Sequence, residues 1–199
     1  KKKNPTAILQ QSPTRIWIGT EGGGLFLYNP QTGTIKNYSH TSKTANCISS
    51  DYVRSLALDS QHRLWIGTIN SLNIYNEQED NFNIYTSDPL ENGSLSQMSV
   101  RNIFMDTQGG MWLGTYFGGI NYYHPLKNRF RNLQFTAKPN SLNSNIINCI
   151  REDAQKGLWI GTNGGGVNYY NPQTGKFTHY TQKEGLGSND VKAIYIDEA

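Results

Sequence analysis

The sequence predicts an all-β fold in which short antiparallel sheets of four strands recur along the chain. All four tryptophans lie in a nearly constant apolar pentad, and they are spaced by 48, 47 and 47 residues. Charged residues make up only 17% of the chain, while glycine and tyrosine account for 20 and 12 of its 199 residues. This composition suits short strands and tight turns. The repeated residues are Trp17, Trp65, Trp112 and Trp159.

The first half of each repeat is typical of a β-hairpin. An alternating segment such as "VRSLALD" (53–59) runs into a short polar turn, and the tryptophan pentad follows as a second strand. Three repeats have an aspartate six positions before the tryptophan, and we expect its carboxylate to accept backbone N–H groups of the turn. These residues are Asp59, Asp106 and Asp153, with Gln11 at the same place in the first repeat.

The second half of each repeat predicts two further strands. A Gly-rich joint such as "NGGG" (163–166) leads into a third strand, and "NPQTG" (29–33 and 171–175) forms a turn in which Pro presets φ and Gly allows φ > 0. A fourth strand and a polar linker complete the unit. The second repeat lacks the glycines of the joint and the proline of the turn, so we expect its joint to follow another path.

These strands have apolar residues on both faces, so each sheet must be covered by its neighbours. A β-propeller of four-stranded blades, about 47 residues each, meets this requirement, and a solenoid of stacked sheets is the alternative. We predict one propeller fragment over residues 1–199. Its repeats span about 5–52, 53–99, 100–146 and 147–190, and an orphan first strand follows at 191–199.

The tryptophans are predicted to be wedges between blades, where full burial of each ring contributes about 2–3 kcal/mol. A sugar-stacking role is the alternative, but four symmetric copies suit four blades better than one ligand. The glycine two residues after each tryptophan is expected to let a neighbouring backbone come close. These glycines are Gly19, Gly67, Gly114 and Gly161.

The composition also argues against several functions. "KKK" at 1–3 accounts for the whole net charge of +3, so no basic stripe indicates nucleic-acid binding. Cys47 and Cys149 belong to no CxxC motif and are expected to be free thiols. The Asp-led turns lack the further oxygen ligands of a calcium loop, and the Gly-rich joints lack the P-loop pattern. We therefore predict no metal and no cofactor.

The pentad, the Tyr-Asn-Pro that follows it and "SLNSNI" (141–146) together resemble the two-component regulator propeller repeat. That resemblance implies the periplasmic sensor region of a bacterial hybrid two-component system, with these four repeats forming part of a seven-bladed ring. It further implies that the segment binds an oligosaccharide or another glycan breakdown product and passes the signal to a histidine kinase. Contact with the membrane is then made only by the rest of the parent protein.

A ligand site is expected on the face formed by the joints after the second strands and the linkers between repeats, because these loops vary while the other turns are nearly constant. Tyr116 and Phe117 are the sharpest candidates, although they could instead plug the central channel or pack on a missing blade of the ring. The other candidates are Glu21, Asn70 and Asn163 in the joints, with His40, Asp51, Asp88, Asn143 and Asn189 in the linkers.

Two other classes of function remain open. A propeller glycoside hydrolase or lyase needs convergent catalytic groups, in a hydrolase two carboxylates about 5–10 Å apart, and nothing in the sequence aims Glu21 at Asp51 or Asp88. We therefore do not expect an enzyme. The segment could also be an interaction or dimerisation platform, since an apolar blade face at each end favours self-association.

Overall fold

The described residues form four separate sheets of four antiparallel strands, and each sheet pairs its strands in chain order. The structure, a computed structural model, describes residues 4–40, 47–91, 93–124 and 130–197. The first strands of successive sheets pack against one another, so the four sheets fan out from a common axis. This arrangement confirms the predicted all-β propeller of four-stranded blades.

The first blade contains β1 (Asn4–Ser12), β2 (Arg15–Glu21), β3 (Leu25–Asn29) and β4 (Thr34–Tyr38). The second contains β5 (Val53–Leu58), β6 (Leu64–Thr68), β7 (Leu72–Asn76) and β8 (Asn81–Tyr85). The third contains β9 (Val100–Met105), β10 (Met111–Thr115), β11 (Ile120–Tyr123) and β12 (Phe130–Leu133). The fourth contains β13 (Ile147–Glu152), β14 (Leu158–Thr162), β15 (Val167–Asn171) and β16 (Lys176–Tyr180).

Three of the four tryptophans are the wedges between blades that the sequence predicts. The rings of Trp17, Trp65 and Trp112 are buried, and each packs on a tyrosine in the third strand of the next blade. The ring centroids lie 5.1, 5.5 and 5.9 Å from those of Tyr75, Tyr123 and Tyr170, respectively. Trp159 is only half-buried and contacts Tyr169 and Tyr180 of its own blade, because no fifth sheet is formed by the described residues.

The pentad glycines make room mainly for a side chain, whereas the sequence predicted the approach of a backbone. A Cβ atom on Gly19 or Gly114 would lie 2.5 Å from the side chain of Val53 or Ile147, the first residue of the next blade. At Gly67 the carbonyl oxygen of Val100 also comes within 2.9 Å. The correction has a simple cause: the first residue of the second, third and fourth blades is β-branched and packs against the glycine in the second strand of the preceding blade.

Residues 191–197, predicted as an orphan strand over 191–199, form no strand, and 198–199 lie outside the described residues. A first strand pairs with the second strand of its own sheet, and none of the described residues offers that partner here. Val191 nevertheless takes the place of a first residue, since its amide donates to the carbonyl of Thr162 at 2.9 Å and its side chain lies against Gly161.

The preceding linker contains the one helical turn among the described residues, a short 3₁₀ helix at Gln182–Glu184. Thr181 and Glu184 form a capping box around it, which the sequence analysis missed. No helix in the described part of the chain is long and apolar enough to cross a membrane. Cys47 and Cys149 are both free thiols, as predicted.

The joint of the second blade follows another path, as its missing glycines predict, and it is one residue shorter than the others. In the other blades, the threonine that ends the pentad donates its hydroxyl to the carbonyl of a glycine four residues later. In the third blade this bond runs from Thr115 to Gly119 at 2.9 Å. In the second blade Thr68 reaches Ser71, three residues later, at 3.0 Å. The same side chain therefore closes both kinds of joint.

Candidate functional site

The joints and the linkers meet on one face of the propeller, which we call the loop face. The amides of Gly22 and Gly24 both donate to the carbonyl of Asp51 at 3.0 Å. Likewise the amide of Tyr116 donates to Ser99 at 3.1 Å, and that of Asn163 donates to Ile146 at 3.0 Å. The backbone of each of these joints is thus fixed by the segment that leads into a first strand.

In the second, third and fourth blades, an asparagine in the third strand binds the linker that precedes the blade. The sequence analysis missed this role. The side-chain oxygens of Asn73, Asn121 and Asn168 accept backbone N–H bonds of 2.8–2.9 Å from the linkers. All three side chains are buried. The signal in the sequence is a polar residue at the second position of an otherwise apolar strand, as in "INYY" and "VNYY".

Tyr116 and Phe117 form an exposed aromatic pair on the loop face. Their side chains are 41% and 57% exposed, and their ring centroids lie 4.2 Å apart in an edge-to-face arrangement. The guanidinium carbon of Arg101 lies 5.1 Å from the centroid of the Tyr116 ring. We call these three residues the aromatic platform.

Three other candidates gather at the joint of the first blade. A carboxylate oxygen of Asp51 accepts the amide of His40 at 2.7 Å, and the imidazole Nδ1 of His40 lies 3.1 Å from the carbonyl oxygen of Ile48. Glu21 is exposed and lies 3.8 Å from the guanidinium of Arg54. Asp51 and Glu21 therefore already have partners within the protein. The bond from His40 to Asp51 holds the linker in place.

The remaining candidates are dispersed over the loop face. Asn70 and Asn163 are exposed in their joints, where Ser144 donates to the carbonyl of Asn163 at 2.8 Å. Asp88 and Asn189 accept amides of their own linkers at 2.9 and 2.8 Å. Asn143 supplies the amide that Asn168 binds.

A β-bulge near the start of every first strand redirects one side chain toward the loop face. At that point each pairing register skips one residue, and these residues are Thr6, Arg54, Arg101 and Asn148. Thr6 and Asn148 donate to the carbonyls of Val53 and Val191 at 2.8 and 2.9 Å. The two arginines instead reach the joints of the first and third blades. Sequence patterns gave no sign of the bulges.

The opposite ends of the blades contain the Asp-led turns, and their acids are structural. One oxygen of Asp106 accepts two turn amides, as predicted, and the other accepts the indole N–H of Trp112 at 2.7 Å. Asp59 and Asp153 bind their indoles at 3.0 and 2.9 Å, and Gln11 uses its amide oxygen at 2.8 Å. The sequence analysis predicted the turn bonds but missed the bonds to the indoles.

Two cavities lie between neighbouring blades, away from the aromatic platform. A cavity of about 310 Å³ between the second and third blades is lined by Trp65, Tyr85 and Asp88 among others. Another of about 470 Å³ lies between the first and second blades beside Arg15 and Asp80. Neither cavity includes the aromatic platform, which is an open surface.

Comparison with known proteins places this architecture among propellers. The extracellular domain of the putative hybrid two component system BT3049 from B. thetaiotaomicron has a TM-score of 0.85 at 24% identity, over 100% of this chain and 27% of that one. The corresponding domain of BT4673 from the same organism has a TM-score of 0.82 at 24% identity, over 98% of this chain and 27% of that one. The likeness shows the fold, and this chain spans 27% of the length of each of those chains.

The model of the two component regulator propeller matches residues 47–70, 94–117 and 141–164. These stretches contain the first two strands of the second, third and fourth blades together with the segments that precede them. The first halves of three blades therefore match this repeat. A further similarity, 31% identity over 65 residues, is to histidine kinase P4 of Formosa agariphila; it covers 33% of this chain and 5% of that protein.

Proposed function

We propose that this chain is a segment of the extracytoplasmic sensor region of a hybrid two-component system. In this proposal its loop face binds an oligosaccharide or another glycan breakdown product, and the propeller passes that event to a histidine kinase. The observation that carries the proposal is the aromatic platform, because two half-exposed rings on one fixed joint, with an arginine of β9 beside them, suit a sugar ring. Sugars are bound by aromatic faces and by hydrogen bonds to planar polar groups.

The location and the signalling role rest on the relatives. Both solved relatives are extracellular domains of putative signalling systems, and the curated relative is a histidine kinase. A periplasmic position and a kinase partner are therefore part of the proposal. The number of blades in the complete ring remains a prediction.

Binding without catalysis fits the acids of the loop face. Asp51 holds the linker through His40, and Glu21 lies beside Arg54. A hydrolase would need one carboxyl kept protonated and a second one free to act on the sugar. We therefore expect no release of reducing ends when the protein is incubated with a panel of glycans.

The test is calorimetric titration of the intact protein with neutral and acidic tetrasaccharides. A sugar that binds the folded state must also raise the thermal midpoint of unfolding. The double variant Y116A/F117A should weaken binding at least roughly tenfold, since aromatic anchors dominate such contacts. Tyr85→Ala is a matched control, because Tyr85 is 43% exposed but lies in an outermost strand. Equal affinities for the double variant and the unmodified protein would overturn this assignment.

A second candidate, an interaction platform, is favoured by the apolar ends of the fan. Ile8 and Ile35 are 69% and 66% exposed on the outer face of the first blade. At the other end Trp159 and Tyr180 stack on the face of the fourth blade. Self-association through these faces is compatible with ligand sensing.

A further inference from the structure

We propose that the ligand of the loop face carries a negative charge, and that Arg101 binds a carboxylate or a sulfate of an acidic oligosaccharide next to the two aromatic rings. This inference rests on the proposed function and narrows its ligand class. It begins from the bulge in β9, which frees the side chain of Arg101 from the sheet.

The bulges set the two arginines apart from the equivalent residues of the other blades. Thr6 and Asn148 donate hydrogen bonds to backbone carbonyls of the segment that follows their own blade, so their polar groups are already used. Arg54 and Arg101 occupy the same position in neighbouring first strands, which pack against one another. Two adjacent cationic side chains therefore lie toward the loop face, in a chain with few charges overall.

Arg101 is the more available of the two cations. Arg54 lies 3.8 Å from Glu21, whereas among the described residues no carboxylate comes within ion-pair distance of Arg101. Its guanidinium is held by the Tyr116 ring instead. A guanidinium held against a ring keeps its edge N–H donors, and that fork matches the two oxygens of a carboxylate or sulfate.

The platform is preorganised by its joint. The hydroxyl of Ser96 donates to the carbonyl of Gly118 at 2.8 Å, and the amide of Gly118 donates to Thr115 at 2.9 Å. Gly119 has a φ of 70°, and a Cβ there would collide with the carbonyl oxygen of Leu133. Because the backbone on both sides of the rings is fixed, binding needs little further ordering of the protein.

The position of the rings relative to the cation defines the shape of the ligand. A pyranose could lay its apolar face on Phe117 or Tyr116 while an acidic substituent points toward Arg101. A neutral sugar would use the rings but offer the guanidinium of Arg101 no anionic partner. The arrangement therefore favours an oligosaccharide whose acidic group is on the stacked sugar or on the sugar next to it.

The experiment measures binding to the intact protein with three sets of tetrasaccharides. One set contains uronic acids without sulfate, the second contains sulfate esters without uronic acids, and the third is neutral and built of glucose, xylose, mannose or arabinose. Titrations are repeated with Arg101→Gln and with Arg131→Gln. Arg131 is an exposed arginine in the outermost strand of the same blade and serves as the control for loss of one charge.

We expect at least one acidic tetrasaccharide to bind, and we expect R101Q to weaken it roughly 10- to 100-fold, as for the loss of a charge-assisted hydrogen bond. R131Q should change the affinity less than about twofold, and added salt should weaken binding to the unmodified protein. The first two sets distinguish a carboxylate from a sulfate. Unchanged thermal midpoints of both variants without ligand show that folding is intact.

The other outcomes separate this inference from the proposed function. If only neutral tetrasaccharides bind and R101Q leaves their affinity unchanged, sensing of glycans stands and the acidic ligand class is wrong. If acidic sugars bind equally to R101Q and to the unmodified protein, the role of Arg101 is wrong. If no member of any set binds, both proposals fall together.

Discussion

At the scale of single residues, the acid and the tryptophan of each repeat act as one unit. Asp106 receives the indole of Trp112 and two turn amides, so one side chain fixes both the hairpin turn and the wedge. Gln11 provides the indole acceptor in the first blade with an uncharged amide oxygen. The requirement is therefore for an oxygen at this distance rather than for a charge.

Asp106→Ala should destabilise the protein by about 1–3 kcal/mol, because it leaves the buried indole N–H of Trp112 without an acceptor. Urea denaturation monitored by tryptophan fluorescence measures the change. Asp106→Asn retains one oxygen and should lose less. Equal stability of the alanine variant and the unmodified protein would show that the indole bond contributes nothing.

Gly114→Ala should destabilise the protein by about 1–3 kcal/mol through overpacking. The added Cβ would lie 2.5 Å from a methyl carbon of Ile147 in the next blade, and Gly114 has no positive φ to complicate the result. A double-mutant cycle with Ile147→Ala isolates the contact, since the penalty of G114A should shrink in that background. Additive effects would contradict the proposed clash.

At the scale of elements, the turn between β7 and β8 contains an acid where two other blades have glycine. Asp80 has a φ of 52°, and the corresponding Gly33 and Gly175 have 69° and 68°. Its carboxylate accepts the hydroxyls of Tyr38 and Tyr75 at 2.6 and 2.7 Å and also pairs with Lys36. Because Tyr38 and Lys36 belong to the first blade, this strained turn links two blades.

The stability that Asp80 contributes should depend on pH. Burial raises the pKa of this carboxyl, but the hydrogen bonds from Lys36, Tyr38 and Tyr75 outweigh it and lower the pKa to about 2. An unfolded aspartate titrates near about 3.9, so the folded state binds the proton less tightly than the unfolded state. The stabilisation is therefore complete above about pH 5 and is lost as the pH falls toward about 2.

Thermal unfolding of Asp80→Asn between pH 7 and pH 2 tests this linkage. The variant should melt below the unmodified protein at neutral pH, and the difference should close as the pH approaches about 2. Asparagine tolerates a positive φ, so the backbone of the turn is retained. Glu79→Gln, in the same exposed turn, is the control. A difference in midpoint that stays constant with pH would contradict the assignment.

Most of the strands could be predicted from the sequence, and the features that place the site could not. The hairpins follow from alternating residues and from turn residues with fixed conformations, as in "NPQTG". The bulges at Arg54 and Arg101 leave no local signal, because a bulge is defined by pairing with the partner strand. Tyr116 and Phe117 were found as an exception to the repeat, but Arg101 became a candidate only once the bulge was visible.

At the scale of the whole molecule, the fan of blades has two complementary ends. In the second blade Leu56 and Phe82, the equivalents of Ile8 and Ile35, pack against the core that contains Trp17. The first blade exposes Ile8 and Ile35, while the fourth presents Trp159. The two faces can therefore pair head to tail, which is a heterologous contact.

Sedimentation velocity of this chain should show association that increases with concentration in the low micromolar range. The double variant I8K/I35K should sediment as a smaller species, because it places charges on the apolar face. Leu90→Lys is the control, since Leu90 is 95% exposed in a linker. A monomer of the unmodified chain throughout that range would contradict the prediction.

The sequence by itself determined the repeated hairpins, the burial of the tryptophans and the face on which the loops vary. Each of these depends on residues near one another in the chain, or on a period that recurs in every unit. Only the tertiary structure decided that Val53 fills the hollow at Gly19, that Asp80 links two blades and that Arg101 lies against Tyr116. Such contacts depend on how sheets far apart in sequence pack around the axis and on where one strand bulges against another, and no local pattern of residues encodes them.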